Sequence, residues 1–137
     1  MLDDLGILPA ISWFCREYQT TYPHIRVEKQ IEVEEQNIPD SLRTVTYRIL
    51  QEAMNNVAKH SKANGVRLSL KKNDNTLELA IQDNGHGFEP EKALSSESSK
   101  RGLGLVSMGE RARLSGGSFA IESTKGAGTT VRAWWPI

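Results

Sequence analysis

At 137 residues the chain is long enough for one domain with a real core. Its 17 Lys and Arg balance 17 Asp and Glu, which excludes a general electrostatic grip on nucleic acid or an anionic membrane but leaves room for a local phosphate patch. A lone cysteine, Cys15, excludes an internal disulfide and a multi-thiolate zinc site, and no apolar run approaches bilayer-spanning length.

No signal-peptide pattern is present, so the chain as given reads as soluble and cytoplasmic. Residues 1–22 predict a helix with a break near Gly6 and Pro9. Leu8, Ile11, Phe14, Cys15, Tyr18 and Tyr22 recur on one apolar face, where Cys15 suits a small core residue better than a nucleophile. The opening MLDDLGILPA starts its helical pattern without a cap, as if continuing from a longer chain. Residues 26–33 alternate, with a slip at Lys29, and predict an edge-like strand. Glu32, Glu34 and Glu35 follow as a solvated acidic rim.

Pro39-Asp40-Ser41 opens a helix that runs to about Ser61, with Leu42, Val45, Ile49, Ala53 and Val57 as its apolar stripe. Glu52, Asn55, Asn56 and Lys59 share a neighbouring face. Asn56 falls inside the stripe, where a primary amide is costly without partners. It either bonds a nearby loop or lines a polar pocket. Glu52, one turn earlier, points the same way and favours the pocket.

Residues 65–72 and 76–82 alternate cleanly around Asn73-Asp74-Asn75 and predict a hairpin. Its second strand delivers Asp83-Asn84-Gly85-His86-Gly87 to the end of the sheet. A carboxylate there can accept a hydrogen bond from the exocyclic amine of adenine, whereas the guanine carbonyl would repel it. Glycines at alternate positions let a ligand approach the backbone. The same residues also suit an ordinary turn. Residues 89–101, EPEKALSSESSKR, have no periodicity and predict a flexible lid or a surface insertion.

Arg101-Gly102-Leu103-Gly104-Leu105 then leads into a helix whose inner face is Leu105, Met108, Ala112 and Leu114. Glycines just ahead of a helix N-terminus expose N–H groups and the positive end of the dipole, a ready anion site, although close helix packing also uses glycine. Gly116-Gly117 ends this helix. Residues 118–123 and 129–135 predict two strands around the turn Lys125-Gly126-Ala127-Gly128, with Trp134 and Trp135 on opposite faces and one of them in the core.

A helix carrying QEAMNNVAKH, a strand end carrying DNGHGF and a glycine turn carrying RGLGLVSMGER occur in that order around a hairpin and a lid. Together they resemble the ATP-binding domain of bacterial two-component sensor histidine kinases, the Bergerat fold shared with gyrase, Hsp90 and MutL. The resemblance covers nearly the whole chain. LDDLGILPAISWF, GLGLVSMGERARLSGG and GAGTTVRAWWPI are similar to segments of the nitrate-sensor and desaturase-sensor subgroup.

The resemblance implies roles residue by residue. Asp83 would hold the adenine amine, with Gly85 and Gly87 admitting the base and Thr129 behind it. Asn56 would ligate Mg²⁺, and Lys59 and His60 would neutralise phosphate charge. Gly102 and Gly104 would hinge the lid and donate to phosphates. Asn55, Phe88, Arg101, Leu103 and Leu105 would complete the nucleotide site. Glu52 would act as general base or, on the simpler view, pair with Lys59 or Arg48. The larger kinase group has Asn at the position of Glu52; this subgroup and gyrase-like ATPases have Glu. His24, His60 and His86 lack the arginine-flanked helix start of a phosphoacceptor. The acceptor, dimerisation helices and sensor would therefore lie upstream, with residues 1–10 a remnant of the junction.

The expected fold is an α/β (α+β) two-layer sandwich, a mixed sheet of about five strands covered on one face by three helices. The expected function is to bind Mg·ATP and present its γ-phosphate to a histidine on a separate dimerisation domain. A response regulator with a helix-turn-helix output would receive the phosphoryl group. No direct contact with nucleic acid or membrane is expected of this fragment. An anti-sigma-factor-type serine kinase shares the E…N…H helix, but LDDLGILPA and the second glycine box speak against it. A gyrase- or MutL-like ATPase fits less well, since no transducer domain follows. A non-catalytic interaction module, with the boxes reduced to turns, is the alternative of a different class.

Overall fold

The computed structural model describes residues 5–88 and 100–137, the side chains of Lys100 and Arg101 excepted. Residues 89–99, most of the expected lid, lie outside the described residues. The elements are α1 (Ile7–Thr21), β1 (Arg26–Glu32), α2 (Asp40–Asn56), β2 (Gly65–Asn73), β3 (Thr76–Asp83), α3 (Lys100–Leu114), β4 (Ser118–Ser123) and β5 (Thr129–Pro136). The sheet runs β1-β2-β3-β5-β4, with β1 parallel to β2 and the other neighbours antiparallel. The three helices cover one face of this five-stranded mixed sheet, the expected architecture.

Gly6, at φ +89°, makes the break before α1. Pro9 makes none. It is the third helical residue, where its missing N–H would have had no intrahelical acceptor. The absent cap of α1 is supplied from afar: the Leu8 N–H donates to Glu35 Oε1 at 2.9 Å. Glu35 therefore does not belong to a solvated rim. Its side chain is only 28% exposed, and Oε2 sits 3.4 Å from Arg43 Nε. A bare helix N-terminus attracts a carboxylate, and Arg43 balances the charge.

β1 pairs with β2 in unbroken register, its burial alternation interrupted at the exposed Lys29 as expected, and ends at Glu32. The Lys29 amine crosses to α1 and donates to Ser12 Oγ at 2.6 Å. Cys15 is partly buried, and burial raises its thiol pKa against the opposing pull of Lys29 and Arg16, as suits a packing residue.

Beneath the helices, Leu68, Leu70, Leu77, Leu79 and Trp135 of the sheet meet Ile11 of α1 and Ile49, Leu50 and Met54 of α2 in one core. Trp135 is the core tryptophan, its indole N–H donating to Ser115 Oγ at 2.8 Å, and Gly117 makes room for its ring. Leu114 is 88% exposed and not part of the inner face. Ala112 is the last inward residue of α3, and two positions further the helix has turned Leu114 away. The opposite sheet face carries exposed cross-strand pairs such as Arg67–Glu28 and Arg132–Glu122, which contribute little each. No helix among the described residues is long and apolar enough to cross a membrane.

Candidate functional site

α2 does not remain an α-helix to Ser61. Its continuation, Val57–Ser61, is π-helical, and Lys62 closes it in the left-handed region at φ 53°. Such widened turns re-aim side chains and recur at functional sites. Glu52, Asn55 and Asn56 from α2, with Lys59 and His60 from the widened turn, line one cavity of about 360 Å³. Leu103, Gly104 and Ser107 of α3 form its other wall.

The glycine box lies inside α3 and not ahead of it, because the helix already begins at Lys100. Gly104 is its fifth residue, past the four whose N–H groups look outward from a helix. A glycine costs about 1 kcal/mol in a helix relative to alanine. Here close packing offsets that: a Cβ on Gly104 would stand 2.4 Å from Glu52 Oε1 and 3.4 Å from Asn56 Nδ2. Gly102 is buried in the same turn, and the side chain of Arg101 lies outside the described residues.

On the sheet side, Asp83 ends β3 and is 8% exposed. Its Oδ1 accepts the Gly85 N–H at 2.7 Å. Across the ladder stands Thr129, whose hydroxyl meets Ser123 Oγ at 2.7 Å. Ser123 Oγ in turn accepts the Phe88 N–H at 2.9 Å. Asp83, Thr129, Phe88, Leu105 and Ser61 enclose a second, small cavity with Asn56. Its volume is about 20 Å³, room for about one water.

Asn56 thus lines both cavities. Its Nδ2 is buried without a hydrogen-bond partner among the described residues. An unmet buried donor costs about 1–3 kcal/mol, so this amide is poised for an acceptor such as a phosphate oxygen. Turned by half a rotation, the same amide would present Oδ1, a ligand that suits a hard cation. Among the described residues no group of three or more His, Cys, Asp or Glu side chains forms a metal cage. A single amide oxygen fits Mg²⁺, which keeps several waters and takes few protein ligands.

Gly85 and Gly87 line neither cavity. Each makes room for protein backbone: a Cβ on Gly85 would lie 2.2 Å from the Ser61 carbonyl oxygen, and one on Gly87, at φ +66°, 2.1 Å from that of Thr124. Ser61, Ser107 and Ser123 are lining or supporting residues that the sequence reading missed. The Gly104-to-Ser107 spacing, one helical turn, was the available signal for Ser107. Tyr18, a core position of the α1 stripe, also donates its hydroxyl to the Met54 carbonyl of α2 at 2.9 Å. Burial raises its phenol pKa, with Tyr22 and the Asp83 charge adding to the shift. A wide concavity of about 670 Å³ lies over Gly65, lined by Arg26, Arg67 and Gln82 and also by Asn64, Asp83 and Asn84. Asn56 does not reach it.

Residues 42–137 match the family described as histidine kinase-, DNA gyrase B-, and HSP90-like ATPase. The oxygen sensor histidine kinase NreB of Staphylococcus carnosus is 33% identical over 136 residues, covering 99% of this chain and 38% of that protein. The signal transduction histidine-protein kinase/phosphatase DegS of Brevibacillus brevis is 29% identical over 99% of this chain and 34% of its own length. An uncharacterized sensor-like histidine kinase of Chloroflexus aurantiacus is 41% identical over 66% of this chain and 15% of its own. The chain thus spans well under half the length of each of these relatives.

Among solved structures, the histidine kinase domain of the Erythrobacter litoralis EL346 blue-light activated kinase superposes with a TM-score of 0.71 at 16% identity, over 88% of this chain and 56% of that one. The mycobacterial sensor histidine kinase MprB gives 0.68 at 18%, over 94% and 93%. At such identities the likeness establishes the fold. With the family match over most of the chain, and with NreB and DegS aligned along nearly all of it, the chain belongs to the histidine kinase-, DNA gyrase B- and HSP90-like ATPases, as an ATPase domain of the sensor histidine kinase kind.

Proposed function

We propose that this domain binds Mg·ATP between Asp83 and the Glu52–His60 segment and supplies the γ-phosphate for a histidine on a separate dimerisation domain of its parent kinase. The phosphoryl group then passes to an aspartate of a response regulator with a helix-turn-helix output. One observation carries this reading: Asn56 belongs at once to the cavity of Asp83 and Thr129 and to that of Glu52, Lys59 and His60. One amide can therefore sit between a purine end and a phosphate end of the same ligand.

In this reading Asp83 accepts the adenine amine and Thr129 backs it, while Phe88 and Leu105 flank the base. Asn56 would hold Mg²⁺, which would offset the negative charge of the phosphates. Lys59 and His60 offset the remainder, and Asn55 and Ser107 wall the phosphate end. Glu52 takes the proton from the attacking imidazole. Catalysis is then mainly positioning and charge neutralisation. A purine needs far more than about 20 Å³ of space, so admission of ATP draws the first turns of α3 away from Glu52. That movement turns the free backbone N–H groups of the first turn, Arg101–Leu103, toward the phosphates, part of the service expected of the glycine box. The domain works where ATP is available, on the cytoplasmic side.

The test is calorimetry of ATP and GTP with and without Mg²⁺. The expected result is Mg²⁺-dependent binding of ATP with at least a tenfold preference over GTP, a difference of about 1.4 kcal/mol. Binding of neither nucleotide overturns the reading.

A further inference from the structure

We propose, on the basis of that reading, that Asn84 is a positioning residue: an exposed clasp that fixes the distance between Asp83 and Asn56. The regular β2–β3 ladder ends at the pair Val66 and Asp83. Asn84 extends it by one more step with its side chain. Its Oδ1 accepts the Asn64 and Gly65 N–H groups at 3.1 and 3.0 Å. Its Nδ2 donates to Asn64 Oδ1 at 2.5 Å, and its own N–H donates to the Gly65 carbonyl at 3.2 Å.

Asn64 and Gly65 follow the widened turn that descends from Asn56, separated from it by Lys62 and Ala63, and Gly65 opens β2. Two positions past Asn84, the His86 N–H donates to the carbonyl of Ser61, the last residue of that turn, at 2.9 Å. The loop carrying Asp83 is thus tied to the segment carrying Asn56 at both of its ends. Gly85 lies between the ties with its Cα hydrogens against the Ser61 carbonyl, which leaves no slack.

Asn84 borders the wide concavity over Gly65 together with Asp83 but lines neither of the two cavities that Asn56 joins, so its effect on a ligand held there passes through Asp83. Asn84 and Asn64 are both exposed and outside the core. Exposed local hydrogen bonds add little to overall stability. They do restrict a loop that would otherwise sample other arrangements, and restriction before binding raises affinity.

The experiment measures Mg·ATP affinity of this chain by calorimetry. Asn84→Ala is expected to weaken binding about tenfold while the protein stays folded, because the loop must then be ordered at the expense of binding. Asn84→Asp combined with Asn64→Ala keeps both acceptor bonds to backbone N–H and removes the oxygen–oxygen repulsion, so its affinity should return to within about threefold of wild type. A folded Asn84→Ala variant with wild-type affinity overturns the clasp.

A second measurement needs no variant. Coupling is reciprocal, so saturating Mg·ATP should slow hydrogen exchange at the Asn64 and Gly65 amides of the wild-type chain by about tenfold or more. Unchanged exchange overturns the proposal even where Asn84→Ala fails to fold. If the wild-type chain binds no Mg·ATP at all, the nucleotide reading itself falls. If it binds and both Asn84 tests are flat, only the clasp does.

Discussion

Asn56, on the last turn of α2, and Asp83, at the end of β3, line one cavity. Asn56 enters it from the helix layer and Asp83 from the sheet layer, with Leu105 of α3 also lining it. The pairing depends on three separate features: the register that ends β3 at Asp83, the widened turn after Asn56, and a glycine that lets α3 pack against Glu52.

Replacing Asp83 by Asn keeps an acceptor for the Gly85 N–H but removes the charge that the proposed site offers to the adenine amine. A hydrogen bond to a charged group contributes about 1.5–3 kcal/mol, so ATP affinity should drop roughly tenfold to a hundredfold. Calorimetry measures it, and near-normal binding would contradict the assignment of Asp83.

Glu52→Gln preserves size and hydrogen bonding at the cavity wall while abolishing basicity. Nucleotide affinity should stay close to wild type. Phosphoryl transfer in the full-length parent kinase should slow by about 10²–10⁴, the usual worth of general base catalysis. The readout is incorporation of labelled phosphate from ATP, and an undiminished rate removes Glu52 from the chemistry.

Glu35→Ala strips the Leu8 N–H of its acceptor and Arg43 of its carboxylate at a half-buried position. Loss of a helix cap costs about 0.5–2 kcal/mol. Thermal denaturation should show a midpoint lowered accordingly. Glu35→Gln should be milder, since its amide oxygen can still accept from Leu8. Equal midpoints for wild type and Glu35→Ala would mean that water caps α1 just as well.

Tyr18 makes a prediction about alkaline pH. Burial, with smaller contributions from Tyr22 and Asp83, raises its folded-state pKa above the ordinary phenol value. A group raised in the folded state contributes stability that is fully present below the unfolded pKa, about 10 for tyrosine, and is lost as pH rises through the folded value. Stability should therefore decline above roughly pH 10 and the decline should lessen in Tyr18→Phe. At neutral pH the same substitution should cost about 1 kcal/mol through the lost bond to the Met54 carbonyl. Denaturant titrations at neutral and alkaline pH measure both effects, and identical pH profiles for the two proteins would refute the assignment.

Much of the architecture was legible before any coordinates. Alternation over residues 65–72 and 76–82 predicted the hairpin and delivered Asp83 to a strand end, as found in β2 and β3. The helical stripe of α2 placed Glu52 and Asn56 toward one pocket, and they line one. These are consequences of local periodicity, since a backbone with a fixed repeat assigns side chains to faces without reference to the rest of the chain.

Other features depended on partners distant in sequence. Glu35 looked like one more surface acid until α1 arrived with an uncapped N-terminus. Gly104 looked like part of a turn until the packing of α3 on Glu52 carried the helix back to Lys100. Gly85 looked like an opening for a ligand, but the space it leaves is taken by Ser61. By itself the sequence determined which elements form and which face each side chain takes, because those follow from short repeats and steric preference. Tertiary structure alone decided which atoms from different elements meet, because close packing allots each space to whichever group reaches it, and sequence spacing holds no record of that competition.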